Sequence, residues 1–192
     1  MKPNIKIAAL ATFLAICVSA YAQEGFIRPE LSYNTVKISG DNDSLKDAFG
    51  YGIAGGAYFG AQSEHELGLS VGIINFDFKS IADTDFKGSV KTVPLLVNYR
   101  YYIGTKADAV RFYLAPSAGY TFLKLEDSFS DGEEVWSDDI SETDFTWAIG
   151  AGVVFKVADK IDVDVGYRFL QVRANGGHAN VNSLYVGGNF RF

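Results

Sequence analysis

The C-terminal stretch of the chain alternates with period two, and that constrains the fold more than any other feature. In Asn180–Phe192, Leu184, Val186, Phe190 and Phe192 fall on one face, with Gly188 among them. Ser183, Tyr185, Gly187, Asn189 and Arg191 fall on the other. Residues 161–173 repeat the pattern. Ile161, Val163, Val165, Tyr167 and Phe169 oppose Asp162, Asp164, Gly166 and Arg168. In residues 144–157, Phe145, Trp147, Ile149, Ala151, Val153, Phe155 and Val157 alternate with smaller or more polar residues. Helices repeat every 3.6 residues, so these are strands, and each has a different solvent on its two faces.

The whole chain reads this way from residue 25 onward. Eight amphipathic segments lie near 25–38, 49–60, 65–77, 88–103, 109–125, 142–157, 161–173 and 180–192. Their connections alternate between short (61–64, 104–108, 158–160) and long (39–48, 78–87, 126–141, 174–179). No apolar run after residue 22 approaches the ~20 residues of a transmembrane helix.

Composition removes several other classes. Aromatics make up 15% of the chain, too many for a disordered one. Twenty glycines argue against a helical bundle. A net charge of −6 disfavours a nucleic-acid partner, which calls for a basic face. One cysteine and two histidines offer no disulfide framework and no clustered metal ligands, so neither cofactor nor metal is expected.

Residues 1–22 read as a secretory signal peptide. Lys2 and Lys6 are its basic end, Ile7 to Val18 its short apolar core, and Ala20-Tyr21-Ala22 its cleavage site before Gln23. A short membrane anchor is the alternative. A lipoprotein at Cys17 is disfavoured because Ile16 is not small. Residues 23–192 would then form one cysteine-free barrel domain with 15 basic and 23 acidic residues, net −8.

Alternation alone does not say which face meets water. The polar face is crowded with small residues, among them Gly50, Gly52, Gly56, Gly68, Ser70, Gly119, Gly150, Gly152 and Gly166. Small residues suit the inside of a narrow barrel, whereas a water-washed exterior calls for Lys, Glu and Thr. The continuous, aromatic-rich apolar face suits lipid. A soluble sandwich or lipocalin-like barrel is the competing reading.

The leader, the eight alternating segments and the terminal Tyr185-Val186-Gly187-Gly188-Asn189-Phe190-Arg191-Phe192 together resemble the small outer-membrane β-barrel family of the OmpA/OmpX kind. The resemblance implies an all-β, eight-stranded antiparallel up-and-down transmembrane barrel in the outer membrane of a diderm bacterium. It implies contact with outer-membrane lipid and lipopolysaccharide. It also implies that Phe190 and Phe192 act as a signal to the outer-membrane assembly machinery.

With the polar face inward, the lumen collects Arg28, Glu30, Glu66, Arg100, Arg111, Asp162, Asp164, Arg168 and Arg191. Buried charges persist when paired, so this set reads as a salt-bridged plug, with a selectivity filter as the alternative. Tyr58, Leu96, Tyr102, Tyr113 and Tyr185 share that register and add bulk. An enzyme acting on lipid A would need a histidine and a serine within hydrogen-bond reach. His178 and Ser183 have opposite parity, His65 lies at the short-turn end, and no G-x-S-x-G occurs. Residues 126–144 hold nine acids and no base. Asp41 to Lys46 breaks the EF-hand spacing. The expectation is a monomeric, non-enzymatic barrel that meets surface partners through four long acidic loops. A lipid-modifying enzyme and a narrow channel are the alternatives.

Overall fold

The computed structural model describes residues 24–39, 45–79, 87–131, 134–174 and 177–192. The proposed leader lies outside them. Eight strands follow in order: β1 (Glu24–Ile38), β2 (Ala48–Phe59), β3 (His65–Asp77), β4 (Lys87–Ile103), β5 (Val110–Asp131), β6 (Glu134–Ala158), β7 (Ile161–Ala174) and β8 (Gly177–Arg191). Each pairs antiparallel with the next, and β1 pairs with β8, so the sheet closes. Gly25 and Phe192 extend that seam by exchanging backbone hydrogen bonds of 2.9 and 3.0 Å. Closure satisfies every edge, which the bilayer core demands of a sheet.

Two of the four expected long loops are strand instead. β5 and β6 stay paired out to Asp131↔Glu134, and β7 and β8 out to Ala174↔Gly177. Residues 126–141 carry acids at both odd and even positions, which erases the alternation. Backbone pairing outside a membrane does not need that alternation.

The two faces of the wall are inverted relative to a water-soluble barrel. Outward Phe49, Leu31 and Leu184 are 81%, 64% and 61% exposed, whereas inward Arg28, Glu66 and Asp164 are at most 1% exposed. Aromatic rings border the outward apolar band. Tyr33–Phe49, Tyr120–Phe145 and Trp147–Phe169 pack as pairs along its upper edge. Phe59, His65, Tyr99 and Tyr101 cluster at the turn end. Along β5, Phe112 to Phe122 spans ~33 Å of strand, or ~25 Å of membrane at the usual tilt.

Three prolines sit inside strands, where each lacks the N–H a ladder needs. The β1–β8 register skips from Ile27↔Phe190 to Glu30↔Gly187 at Pro29. The β3–β4 register skips from Val71↔Leu95 to Ile74↔Thr92 at Pro94, and β4–β5 skips from Asn98↔Ser117 to Tyr101↔Leu114 at Pro116. On the other side of each proline the ladder is continuous.

Candidate functional site: the charged interior

The lumen has two tiers. The lower lies toward the short turns and is charged. Arg28 and Glu30 are same-face neighbours on β1, and Glu66 and Arg100 are register partners across β3 and β4. The Arg28 guanidinium donates to both oxygens of Glu66, at 2.8 and 3.1 Å, and through Nε to Glu30 at 3.1 Å. Arg100 pairs with Asp164 and stands 3.5 Å from both Glu30 and Glu66. Arg168 reaches Glu30 at 3.4 Å. Three arginines thus share three carboxylates, and the cluster is neutral. Such a fork-to-carboxylate arrangement repays much of the desolvation cost of burying the charges.

Tyrosines complete the shell. Tyr102 donates to Glu66 at 2.5 Å, Tyr113 donates to Asp164 at 2.6 Å, and the hydroxyls of Tyr113 and Tyr185 are 2.6 Å apart. Arg100 lies 4.3 Å over the Tyr113 ring and Arg168 5.0 Å over Tyr185. Gly152 and Gly166 make this crowding possible, because a Cβ at either position would collide with the Tyr113 hydroxyl.

A second cluster closes the base. Arg191 Nε lies 3.1 Å from Asp162, Nη1 lies 3.5 Å from Glu24, and Nη2 donates to the Asp159 carbonyl at 2.7 Å. Lys106 pairs with Glu24 at 2.8 Å. Asn189 bridges Asp162 and the Tyr58 hydroxyl. Arg111 instead donates to the carbonyl of Ser63 at 3.4 Å and covers the Tyr102 ring at 4.4 Å. The nine charges named from sequence therefore divide into six in the central cluster, two at the base and Arg111 beside a turn. Sequence reasoning missed Glu24, although it holds the inward parity of β1.

The upper tier is apolar, which the sequence reading did not foresee. Leu45, Ile74, Phe76, Leu96, Leu170, Val172 and Val181 form one buried cluster. Where both faces of a strand are apolar, as at Ile73-Ile74 and Phe169-Leu170, alternation cannot mark the inner one.

The residues considered for lipid chemistry do not meet. Ser183 is buried and donates to Asn34 at 2.5 Å, whereas His178 is exposed. The His65 ring packs among Phe59, Tyr99 and Tyr101 at the far end. Phe190 and Phe192 face outward, 47% and 67% exposed.

The family model for "Outer membrane protein beta-barrel domain" matches residues 8–192. The chain belongs to that family. Its place is therefore the cell outer membrane. No curated protein sequence matches the chain. Among solved structures, Neisserial surface protein A is 17% identical, with a TM-score of 0.59, over 88% of this chain and 97% of that one. Ail of Yersinia pestis, in a complex with the heparin analogue sucrose octasulfate, is 18% identical, with a TM-score of 0.59, over 88% and 98%. OprG of Pseudomonas aeruginosa is 15% identical, with a TM-score of 0.52, over 90% and 97%. At these identities the likeness is one of fold.

Proposed function

We propose that this outer-membrane barrel is a structural and surface-contact protein, non-enzymatic and non-conducting, and monomeric in the membrane. The neutral central cluster carries the reading. Two buried arginines and the half-buried Arg168 pair with three buried carboxylates, and four tyrosine rings fill the remaining width. An ion-selective path calls instead for an excess of one sign, solvated by water. Contact with the outside falls to the upper ends of the strands, above all the β5–β6 ribbon, whose segment 126–144 is rich in acids.

That acidity bears on the partner. Ail accommodates a sulfated heparin analogue. This chain, at net −6, suits basic surfaces or cation-bridged lipopolysaccharide better than a bare polyanion. Residues 1–22 serve as the export signal, and Phe190 and Phe192 as the signal to the assembly machinery. Planar-bilayer recording on refolded protein tests the plug. The expected record is silent. Stable, ion-selective unitary currents that change selectivity in Arg28→Ala would replace the plug with a channel.

A further inference from the structure

The chain is acidic overall, but one outward sector of the barrel is not. The outward rows of β7, β8 and β1 contain no acid over their full length. They carry Lys37 and Arg173 at their upper ends, both exposed and without an ion-pair partner among the described residues. Register brings the two together. Trp147, Gln171, Asn180 and Lys37 form one row across β6, β7, β8 and β1. Arg173 stands two residues higher on β7, opposite His178. Its Cα lies roughly 12 Å from that of Lys37, two strand spacings across and two residues along, a span that two long basic side chains close from both ends. The row lies at the aromatic edge marked by Trp147–Phe169 and Tyr33–Phe49, which is the level of the outer-leaflet headgroups.

The amides between the two cations are turned so that donors are left over. The Trp147 indole N–H can only donate, and it donates to Gln171 Oε1 at 3.1 Å. That fixes the Gln171 amide, whose Nε2 donates to Asn180 Oδ1 at 3.0 Å. The Asn180 NH2 is left without a partner among the described residues, beside Lys37. Asn182 repeats the pattern below it, because its Oδ1 accepts from the Tyr167 hydroxyl at 2.5 Å. Two cations and two amide NH2 groups thus share one surface on which the side-chain carbonyl oxygens are already occupied. The acid beside the sector, Asp47 ahead of β2, accepts from Tyr33 at 2.6 Å and makes no ion pair with Lys37. The opposite wall differs. Lys91 and Lys124 pair across β4 and β5, but exposed Asp77 stands on the adjoining outward row of β3, and Lys124 is already engaged. His178 also borders the apolar cavity at the barrel mouth, and the patch is complete without it.

We propose that this sector holds the headgroup of an outer-leaflet lipid that carries a phosphate monoester, with the phosphate oxygens on Lys37, Arg173 and the Asn180 amide. A monoester brings up to two negative charges and three acceptor oxygens to a surface that offers positive charge and donors. A phosphodiester brings less of both, and a zwitterionic headgroup brings a cation of its own. The contact needs no bridging metal, unlike one made through the acidic ribbon. It rests on the barrel's place in the outer membrane and is independent of the plugged lumen.

The test is proton–nitrogen NMR on the protein refolded into phosphatidylcholine nanodiscs, with a chelator present. Phosphatidic acid or phosphatidylglycerol is introduced in steps. The amides of Lys37, Arg173 and Asn180 should shift saturably with phosphatidic acid, at about fivefold higher affinity than with phosphatidylglycerol, the ratio that an extra charge beside two surface cations supports. Lys37→Gln combined with Arg173→Gln should remove that preference, and both sites are exposed, so the barrel should fold as before. Lys91→Gln should leave the preference intact. Shifts spread evenly round the upper rim, equal affinity for the two anionic lipids, or a preference that survives the double variant would each overturn the proposal. So would a preference that appears only when magnesium replaces the chelator. That result would leave cation bridging through the acidic ribbon standing and remove the direct phosphate contact.

Discussion

Arg28 and Arg111 look equivalent in the sequence, each an inward arginine in an alternating strand, yet their surroundings differ. Arg28 holds two carboxylates at 3.1 Å or less, whereas Arg111 meets a carbonyl and a ring face. Arg28→Ala takes the two-pronged partner from Glu66 and a donor from Glu30, leaves the cluster with one negative charge in excess, and should cost about 3–5 kcal/mol, the usual result of removing one partner of a buried pair. Arg111→Ala leaves no buried charge behind and should cost about 1 kcal/mol, the scale of a single net hydrogen bond. Urea titrations of folding into lipid vesicles measure both, and equal losses would mean that the central cluster is not energetically distinct. Gly166 supplies a companion test. Gly166→Ala should destabilise by about 1–3 kcal/mol through overpacking against Tyr113 and Tyr185. In a Tyr113→Phe background the penalty should shrink, because the colliding hydroxyl is gone. An unchanged penalty would place the clash elsewhere.

Single strands show two solvents along one row of side chains. On β6, Ile149 and Thr143 share the outward row, but Ile149 lies inside the apolar band and Thr143 beyond the aromatic edge at Phe145. Ile149→Arg should cost about 2–4 kcal/mol and Thr143→Arg about 0–1 kcal/mol, following depth in the bilayer. Matching costs at the two sites would be incompatible with the membrane face assigned to this row. Pro94 makes a different point about strands. Pro94→Val restores an N–H where the β3–β4 ladder is interrupted. Hydrogen exchange should show a protected amide at residue 94 itself, donating to the Gly72 carbonyl, and a freely exchanging amide there would mean that the interruption has another cause.

At the scale of the whole barrel, the seam between first and last strands decides both closure and assembly. Phe192 contributes two backbone hydrogen bonds to Gly25 as well as an outward ring. Deleting it therefore confounds a recognition signal with a lost piece of the seam. Phe192→Ser keeps the backbone and removes the ring. It should lower outer-membrane levels in cells sharply while changing unfolding in vesicles by little more than the ring's lipid contact, about 1–3 kcal/mol. Normal levels in cells would count against the terminal signal. The closed barrel itself should run at a different gel mobility before and after boiling.

Strand number, strand direction and the lipid-facing row were legible in the sequence because alternation is a local property. A residue and its second neighbour share a face whatever the rest of the chain does. The inward set of nine charges followed from the same rule. Their partners did not, since Arg28 meets Glu66 and Arg100 meets Asp164 only after closure brings β1, β3, β4 and β7 around one axis. The apolar upper tier was hidden for a related reason. Val36, Phe76, Val172 and Val181 are unremarkable alone and form a pocket only when distant strands curve to face one another. The β5–β6 ribbon was hidden because acids on both faces silence the period, while backbone pairing across 22 register positions proceeds without it. Local periodicity separated the two faces and the small residues of one of them marked the inside; the circumference of the closed sheet decided which inward groups meet.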